Sequence, residues 1–189
     1  IRAASGATVK NFSTLGKTSP GMSESVTILG DGAMATVCPI LLTHSGHGVT
    51  MWGAFEESIE RLMQDREQRR LLPGVSIPPG VRLTANDADC FDGATMILSA
   101  VPTQFIRGVY ERLKPHLPPG VPIVSVSKGI ETGSLLRPTQ GMEEARGGRG
   151  RGGTDASRVM CALSGPNIAA EIARYLPATA VAASEDESF

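Results

Sequence analysis

The sequence predicts an α/β fold, a doubly wound, mostly parallel sheet with helices on both faces. Strand-like and helix-like stretches alternate from residue 26 onward, and strands that alternate with helices are joined by right-handed crossovers into a parallel sheet. The run ATMILSAV at residues 94–101 is continuously apolar, which is typical of a strand covered on both faces.

Composition limits the classes of function. The 189 residues have room for one large domain, and 41% hydrophobic residues are enough to build its core. A net charge of −1 excludes a global basic field for nucleic acid or membrane. Aromatic residues make up 4%, which argues against a stacking surface for single-stranded nucleic acid. No apolar run approaches the ~20 residues of a membrane span.

The three cysteines, Cys38, Cys90 and Cys161, are scattered and lack the spacing of metal ligands. We therefore expect buried thiols in a reducing compartment, a cytoplasmic location and no metal site. The histidines also lack metal-like spacing, and His47 is interpreted as structural.

Residues 1–21 differ from the rest because they hold three basic residues, many small ones and no acidic residue. We predict a disordered extension there, with a remnant transit-type segment as the alternative. The chain begins at Ile1 rather than Met, which indicates a fragment or an imperfect gene model, and Met22 would be a sensible start. Residues 22–189 are then predicted to form one domain.

The first strand of that domain leads into a glycine turn. Val26-Thr27-Ile28-Leu29 is apolar, Gly30-Asp31-Gly32 follows, and a helix begins at Ala33. A buried strand that turns sharply into a helix can hold a phosphate at the helix N-terminus. The alternative is a tight turn with glycines for backbone reasons only. The pattern favours dinucleotide binding in a Rossmann-like domain.

The next elements follow from periodicity and turn residues. A helix stop at residues 45–48 precedes a strand at 49–52. Residues 55–72 form a charged, solvent-facing helix with Ile59, Leu62 and Met63 at helical spacing, and a loop at 73–80 leads to a strand at 81–84. A brief helix is expected at 86–92, where Asp87, Asp89 and Asp92 indicate a polar cap or loop rather than a catalytic dyad.

The second half continues the alternation. An amphipathic helix at 103–113, N-capped by Thr103, separates the strand at 94–101 from one at 122–127. A strand at 158–163, a helix at 167–175 and a strand at 178–183 complete the series. The Arg-Gly-rich stretch at 146–153, between a helix and a strand, is interpreted as a flexible surface loop rather than an RNA-binding segment.

Candidate site residues follow the strands, because ligands of open α/β sheets collect at the carboxyl ends of strands. Ala54 follows the second strand. No arginine is near it in sequence, so NAD is slightly favoured while the choice between NAD and NADP stays open. Lys128 follows the strand at 122–127 and is placed to bind a phosphate or polarise a carbonyl, although an exposed turn lysine is the alternative. Ser164-Gly165-Pro166-Asn167 offers backbone N–H groups to an anion or forms a plain helix cap.

Together these segments resemble the NAD(P)-dependent glycerol-3-phosphate dehydrogenases. The resemblance rests above all on Ser127-Lys128-Gly129-Ile130-Glu131 and Ser164-Gly165-Pro166-Asn167-Ile168-Ala169. Further support comes from VTILGDGAMAT, GHGVTMWG, LPGV and AVPTQ, in the same order along the chain. The resemblance covers nearly all of the chain after Met22.

The resemblance implies site residues as well as an activity. Gly30, Gly32, Ala33 and Met34 would line the pyrophosphate of the coenzyme, and Ala54 falls near the adenosine, where the family often has a polar residue. Lys128 would contact both the substrate and the nicotinamide region. Gly165 and Asn167 would contact glycerol 3-phosphate, and Ala169 the coenzyme.

Two departures from the family pattern qualify these expectations. Ala35 replaces the third glycine of the fingerprint. The chain also stops at Phe189, before the family's helical C-terminal domain, so the proton-accepting lysine of that domain is expected beyond Phe189.

The resemblance also implies the reaction. We expect the parent protein to interconvert sn-glycerol 3-phosphate and dihydroxyacetone phosphate with NAD or NADP, a step of phospholipid biosynthesis, and this fragment alone to be inactive. The alternatives are a non-catalytic nucleotide-binding module and a dehydrogenase of another hydroxy acid. A homodimer is the expected assembly, without nucleic-acid partners.

Overall fold

The computed structural model describes residues 23–147 and 158–185. The predicted extension at residues 1–21, the suggested start at Met22 and residues 148–153 of the Arg-Gly-rich stretch lie outside the described residues. Phe189 lies outside them too, so the expectation of a proton-accepting lysine beyond Phe189 stays a prediction. Within the described ranges, the helices are all too short or too polar to span a membrane.

The described residues form one seven-stranded sheet. Its strands are β1 (Ser25–Leu29), β2 (Gly48–Trp52), β3 (Arg82–Thr84), β4 (Met96–Ser99), β5 (Ile123–Ser125), β6 (Met160–Ser164) and β7 (Val181–Ser184). Their spatial order is β3-β2-β1-β4-β5-β6-β7. All neighbours are parallel except β6 and β7, which are antiparallel. The predicted mostly parallel sheet is confirmed, and the strand order reverses between β1 and β4, where such sheets bind ligands.

Helices cover both faces of the sheet. They are α1 (Ala33–His44), α2 (Glu56–Asp65), α3 (Ile106–Leu113), α4 (Pro138–Ala145) and α5 (Ala169–Ile172), with 3₁₀ turns at Asp89–Phe91, Thr103–Phe105 and Lys114–His116. One core cluster joins Ile28 and Leu98 to side chains of α1 and α2. The other joins Leu29 and Ile97 to side chains of α3 and α4. Adjacent strand residues thus point to opposite faces, and both faces are buried, as the apolar run at 94–101 predicted.

The helix predicted at residues 55–72 ends early, at Asp65. Arg66 adopts a left-handed conformation with φ 50°, and its guanidinium donates to the carbonyl oxygens of Pro78 and Val81. Its own carbonyl oxygen accepts the Ile77 N–H at 2.7 Å. These bonds to a later segment stop the helix, although the local sequence has helical periodicity.

The predicted cap at Thr103 is wrong. Its hydroxyl donates instead to the carbonyl oxygen of Lys128 at 2.7 Å, and a 3₁₀ turn precedes α3, which begins at Ile106. The helix predicted at 167–175 is also shorter, because Tyr175 is left-handed at φ 56° and the Leu176 N–H bonds back to the Glu171 carbonyl oxygen. This is the bond pattern that ends helices at a left-handed residue.

Candidate functional site

The glycine turn lies at the carboxyl end of β1, next to the reversal of strand order. Gly30 has φ 123°, a region that side-chain-bearing residues rarely adopt, and its N–H donates to the Trp52 carbonyl oxygen at 2.8 Å. A Cβ at this position would lie 3.0 Å from the Ala100 carbonyl oxygen. The fold itself therefore requires glycine at residue 30.

Gly32 differs, because the fold does not require it. Its φ of −85° suits any residue, and the nearest atom to an added Cβ is Leu71 Cδ1, 3.9 Å away. Gly32 is the N-cap of α1 and has no side chain to accept the first-turn N–H groups, among them those of Ala33 and Met34. The open space and the amides form a cradle that fits an anion such as a pyrophosphate.

The turn is fixed by contacts to the segment after β2. The Asp31 carboxylate accepts the Ser58 hydroxyl at 2.5 Å, and the Asp31 carbonyl oxygen accepts the Gln68 side-chain amide at 2.7 Å. Both donors lie on or just after α2, which packs beside the turn. The sequence does not identify these contacts, because the partners are distant along the chain.

A cleft of about 600 Å³ opens at the carboxyl ends of β2 and β3. One wall is the face of α2, and the other is the loop after β3. Its lining is Ala54, Glu56, Ile59, Glu60, Met63, Thr84, Ala85, Asn86 and Arg112. Ala54 lines this cleft, and its place beside the adenosine of a dinucleotide stays a prediction.

The expectation that no arginine lies near Ala54 is wrong, because Arg112 is distant in sequence but contacts Ala54 in the structure. Arg112, at the end of α3, donates from Nη1 to the Ala54 carbonyl oxygen at 2.7 Å. Its Nε and Nη2 each lie 2.7 Å from a carboxylate oxygen of Asp87, and its guanidinium lies 5.2 Å from the centre of the Trp52 ring. Trp52 Nε1 also donates to Asp87, at 3.1 Å. This network could not be predicted from the sequence, because 58 residues separate Ala54 from Arg112.

Lys128 joins the loops that follow β5 and β6. Its Nζ donates to the Gly165 carbonyl oxygen at 3.0 Å and to the Asn167 carbonyl oxygen at 3.1 Å. It also donates to the side-chain oxygen of Asn167, which is buried. Gly165 has φ 150°, and an added Cβ would lie 2.3 Å from the Thr179 carbonyl oxygen. The structure thus brings Lys128 together with Gly165 and Asn167, which the sequence singled out in a separate segment.

The loop that carries Lys128 is braced against α3. Arg107 forms a bidentate pair with Glu131, at 3.0 and 2.8 Å. These hydrogen bonds, with one from Ser134, lower the pKa of Glu131. The Gln104 side chain bonds to the backbone on either side of Glu131. Arg107 and Gln104, neither of which was singled out from the sequence, therefore help to set the backbone position of this loop.

Two exposed aromatic side chains flank the glycine turn. Phe55 lies between β2 and α2 and is 73% exposed, and Phe105 lies between β4 and α3 and is 65% exposed. Both residues belong to loops at the carboxyl edge of the sheet, where such sheets bind ligands. Neither residue was singled out from the sequence, because Phe55 lies three residues after β2 and Phe105 six residues after β4.

The remaining predictions concern residues away from these clusters. His47 is structural, because its Nδ1 accepts the Glu24 N–H at 3.2 Å. Asp89 and Asp92 pair with Arg82, as expected for a polar loop. Ala169 begins α5, and α5 packs against α1. In the part of the chain that the structure describes, no three His, Cys, Asp or Glu side chains are grouped to hold a metal ion.

Comparison with known proteins supports the resemblance seen in the sequence. The family model described as NAD-dependent glycerol-3-phosphate dehydrogenase N-terminus matches residues 25–189. Glycerol-3-phosphate dehydrogenase [NAD(P)+] from Corynebacterium glutamicum is 34% identical over 164 residues, which cover 87% of this chain and 47% of the relative. The enzyme of that name from Mycobacterium leprae is 39% identical over 164 residues, 85% of this chain and 45% of the relative. The chain spans about half the length of the curated relatives it matches.

Experimental structures agree with the sequence matches. Glycerol-3-phosphate dehydrogenase from Coxiella burnetii superposes with a TM-score of 0.77 at 25% identity, over 88% of this chain and 48% of that chain. The yeast enzyme has a TM-score of 0.69 at 22% identity, over 89% and 49% of the two chains, and supports the fold. The chain has the Rossmann-like fold that its sequence predicts. It belongs to the family described as NAD-dependent glycerol-3-phosphate dehydrogenase N-terminus.

Proposed function

We propose that the protein to which this chain belongs is an NAD(P)-dependent glycerol-3-phosphate dehydrogenase, which interconverts sn-glycerol 3-phosphate and dihydroxyacetone phosphate. Residues 22–189 are its coenzyme-binding domain. The observation that carries the proposal is the open, glycine-capped start of α1 at the reversal of strand order. Family membership adds the reaction class.

The coenzyme site consists of the cradle and the adjoining cleft. The amides at Gly32, Ala33 and Met34 would bind the pyrophosphate, because a helix N-terminus attracts anions. The cleft beside Ala54 would take the adenosine. Phe55 and Phe105, exposed on either side of the turn, would pack against the flat rings of the coenzyme.

The substrate site centres on Lys128. When bound, the coenzyme supplies the hydride. Lys128 contributes a cation, and its contacts with Gly165 and Asn167 fix the position of that cation. A fixed cation stabilises negative charge on a carbonyl oxygen or binds a phosphate. The Asn167 side chain would bind a substrate hydroxyl, and Ala169 would border the coenzyme.

The proton acceptor of the family is a lysine of the helical C-terminal domain, and we place it beyond Phe189. Residues 22–189 alone would then bind coenzyme without turnover. We also propose a homodimer in the cytoplasm. Three free cysteines support a reducing compartment.

The test is an assay of the full-length gene product with dihydroxyacetone phosphate and reduced coenzyme. We expect oxidation of NADH or NADPH that depends on this substrate and is abolished by Gly32→Trp, which fills the cradle. Activity only with other keto or hydroxy acids would favour a related dehydrogenase. Coenzyme binding without any turnover would favour a non-catalytic nucleotide-binding module.

A further inference from the structure

The charges around the cleft bear on which coenzyme it takes. We propose that the cleft selects the coenzyme with an unphosphorylated adenosine ribose, NAD(H), and that Asp87 is a specificity-determining residue because it holds Arg112 in a neutral pair. The inference rests on the proposed function, since it requires that the cleft bind adenosine.

Arg112 is the residue that a 2′-phosphate would need. An arginine near the ribose commonly binds that phosphate, and an acidic residue commonly binds the ribose hydroxyls instead. Arg112 lines the cleft, but both carboxylate oxygens of Asp87 accept from it at 2.7 Å. This bidentate geometry is the strongest that an arginine and a carboxylate form. The carboxylate balances the guanidinium charge, so little attraction is left for a second anion.

Besides having its charge balanced by Asp87, the Arg112 guanidinium is held in position by two further contacts. The third contact, from Nη1 to the Ala54 carbonyl oxygen, spans 2.7 Å. The guanidinium also lies over the Trp52 ring, a favourable cation–π contact. The indole N–H of Trp52 donates to the Asp87 carboxylate oxygen that also accepts from Arg112 Nη2. A side chain anchored at three points cannot turn toward a phosphate without losing these bonds.

The other charged side chains that line the cleft are acidic. Glu56 and Glu60 line the wall formed by α2, and Arg112 is the single basic side chain among the lining residues. With Arg112 neutralised by Asp87, the net charge of the lining is negative. A phosphate on the ribose would be repelled, whereas ribose hydroxyls can donate to a carboxylate.

Isothermal titration calorimetry of the chain with NADH and with NADPH tests the proposal. We expect NADH to bind at least about tenfold more tightly than NADPH. In Asp87→Asn the amide keeps the size of the side chain but removes the charge, so Arg112 becomes available to the 2′-phosphate. The preference for NADH should then fall by about tenfold or more.

Two further variants separate this effect from a general change of charge. Asp92→Asn removes a carboxylate from the same loop, where Asp92 pairs with Arg82 and is exposed, and we expect it to keep the preference of the unaltered chain. Adding Arg112→Gln to Asp87→Asn should abolish the gain in NADPH affinity. Circular dichroism melts identify any variant that fails to fold.

The outcomes distinguish this inference from the function on which it rests. Equal or tighter binding of NADPH by the unaltered chain overturns the proposed selectivity and leaves the dehydrogenase proposal standing. An equal shift in Asp87→Asn and Asp92→Asn overturns the role of Asp87. Failure of the folded chain to bind either coenzyme overturns this inference and the proposed coenzyme site, whereas turnover by the full-length gene product decides the dehydrogenase proposal separately.

Discussion

The ammonium group of Lys128 lies 3.1 Å from the backbone carbonyl oxygen of Asn167 and also donates to the Asn167 side chain. One cation therefore joins the loops at the carboxyl ends of β5 and β6. Since Asn167 is 8% exposed, its amide is held in place. The cation is thereby set in advance at the position that the proposed function assigns to the substrate.

Replacing Lys128 tests that role. In the full-length gene product we expect Lys128→Ala to lower kcat/KM for dihydroxyacetone phosphate by about 10²-fold or more, because a fixed charge near the reacting oxygen is lost. Lys114→Ala removes an exposed lysine of a 3₁₀ turn and should leave kcat/KM unchanged. Similar losses in the two variants would contradict the proposed role.

The two glycines of the turn should respond differently to alanine. Gly30→Ala introduces a Cβ 3.0 Å from the Ala100 carbonyl oxygen at φ 123°, so we expect a loss of about 1–3 kcal/mol in the free energy of unfolding. Gly32→Ala adds a methyl group in open space, so its free energy of unfolding should change by less than about 0.5 kcal/mol.

Although Gly32→Ala should hardly change stability, it should weaken coenzyme binding. Its added methyl group faces the cradle, and we expect NADH affinity to fall by about tenfold in Gly32→Ala. Urea unfolding measures stability and calorimetry measures affinity on the same preparations. Unchanged NADH affinity in Gly32→Ala would show that a pyrophosphate does not lie against this residue.

Acid should weaken the brace between Arg107 and Glu131. The hydrogen bonds from Arg107 lower the pKa of Glu131 in the folded chain, so its contribution to stability is present above the unfolded value of about 4.3. That contribution is lost as the pH falls through the lowered folded pKa. The melting temperature of Glu131→Gln should therefore lie below that of the unaltered chain at pH 7, and the gap should narrow toward pH 3.

A matched variant checks the assignment to this pair. Glu111 is an exposed carboxylate of α3, and Glu111→Gln should melt like the unaltered chain across the same pH range. A gap for Glu131→Gln that stays constant down to pH 3 would show that the lost contact is not ionic.

The cysteines should react slowly with thiol reagents in the folded chain. Burial raises the pKa of Cys38 and of Cys90 to about 12, and it also raises the pKa of Cys161. Because the thiolate is the reactive form, modification by Ellman's reagent at pH 8 should be slow and should become fast in guanidinium. A fast native phase would show that one of these thiols is accessible.

The same pKa values predict lower stability in alkali. The thiols of the unfolded chain ionise above about pH 8.5. Those of Cys38, which is half-buried rather than buried as predicted, and of buried Cys90 stay protonated to about pH 12 in the folded chain. Stability should fall as the pH rises from about 8.5, because the unfolded chain then releases protons that the folded chain keeps. Alanine at Cys38 and Cys90 should reduce this dependence in urea unfolding at pH 7 and pH 10.

Local signals explain why much of the fold could be predicted. The apolar strand that ends at Leu29 and the glycine that follows it are adjacent in sequence, so periodicity and turn chemistry identify both. The helix that ends at Asp65 was overestimated because its end depends on Arg66 reaching the carbonyl oxygens of Pro78 and Val81. No local pattern contains those contacts.

In the candidate site, too, some residues could be predicted from local sequence and others depend on contacts between distant segments. Lys128 and Gly165 lie in the loops that follow β5 and β6, so their positions made them candidates, and the resemblance to the family supplied their expected roles. Arg112 was missed because it reaches the cleft from α3, and its partner Asp87 lies 25 residues away. Similarly, the hydroxyl of Thr103 looked like a helix cap locally but bonds to a carbonyl oxygen of the neighbouring loop. Charge pairs and braces between elements become visible only in three dimensions.

The position of Trp52 gives the chain a built-in optical reporter. It is the single tryptophan of the sequence, it is 1% exposed, and its indole contacts both Asp87 and Arg112. Intrinsic emission excited at the red edge of protein absorbance therefore comes from one place in the molecule. Rearrangement of α3 or of the loop after β3 would change the emission of this one indole, so the state of the cleft can be followed in real time without any label.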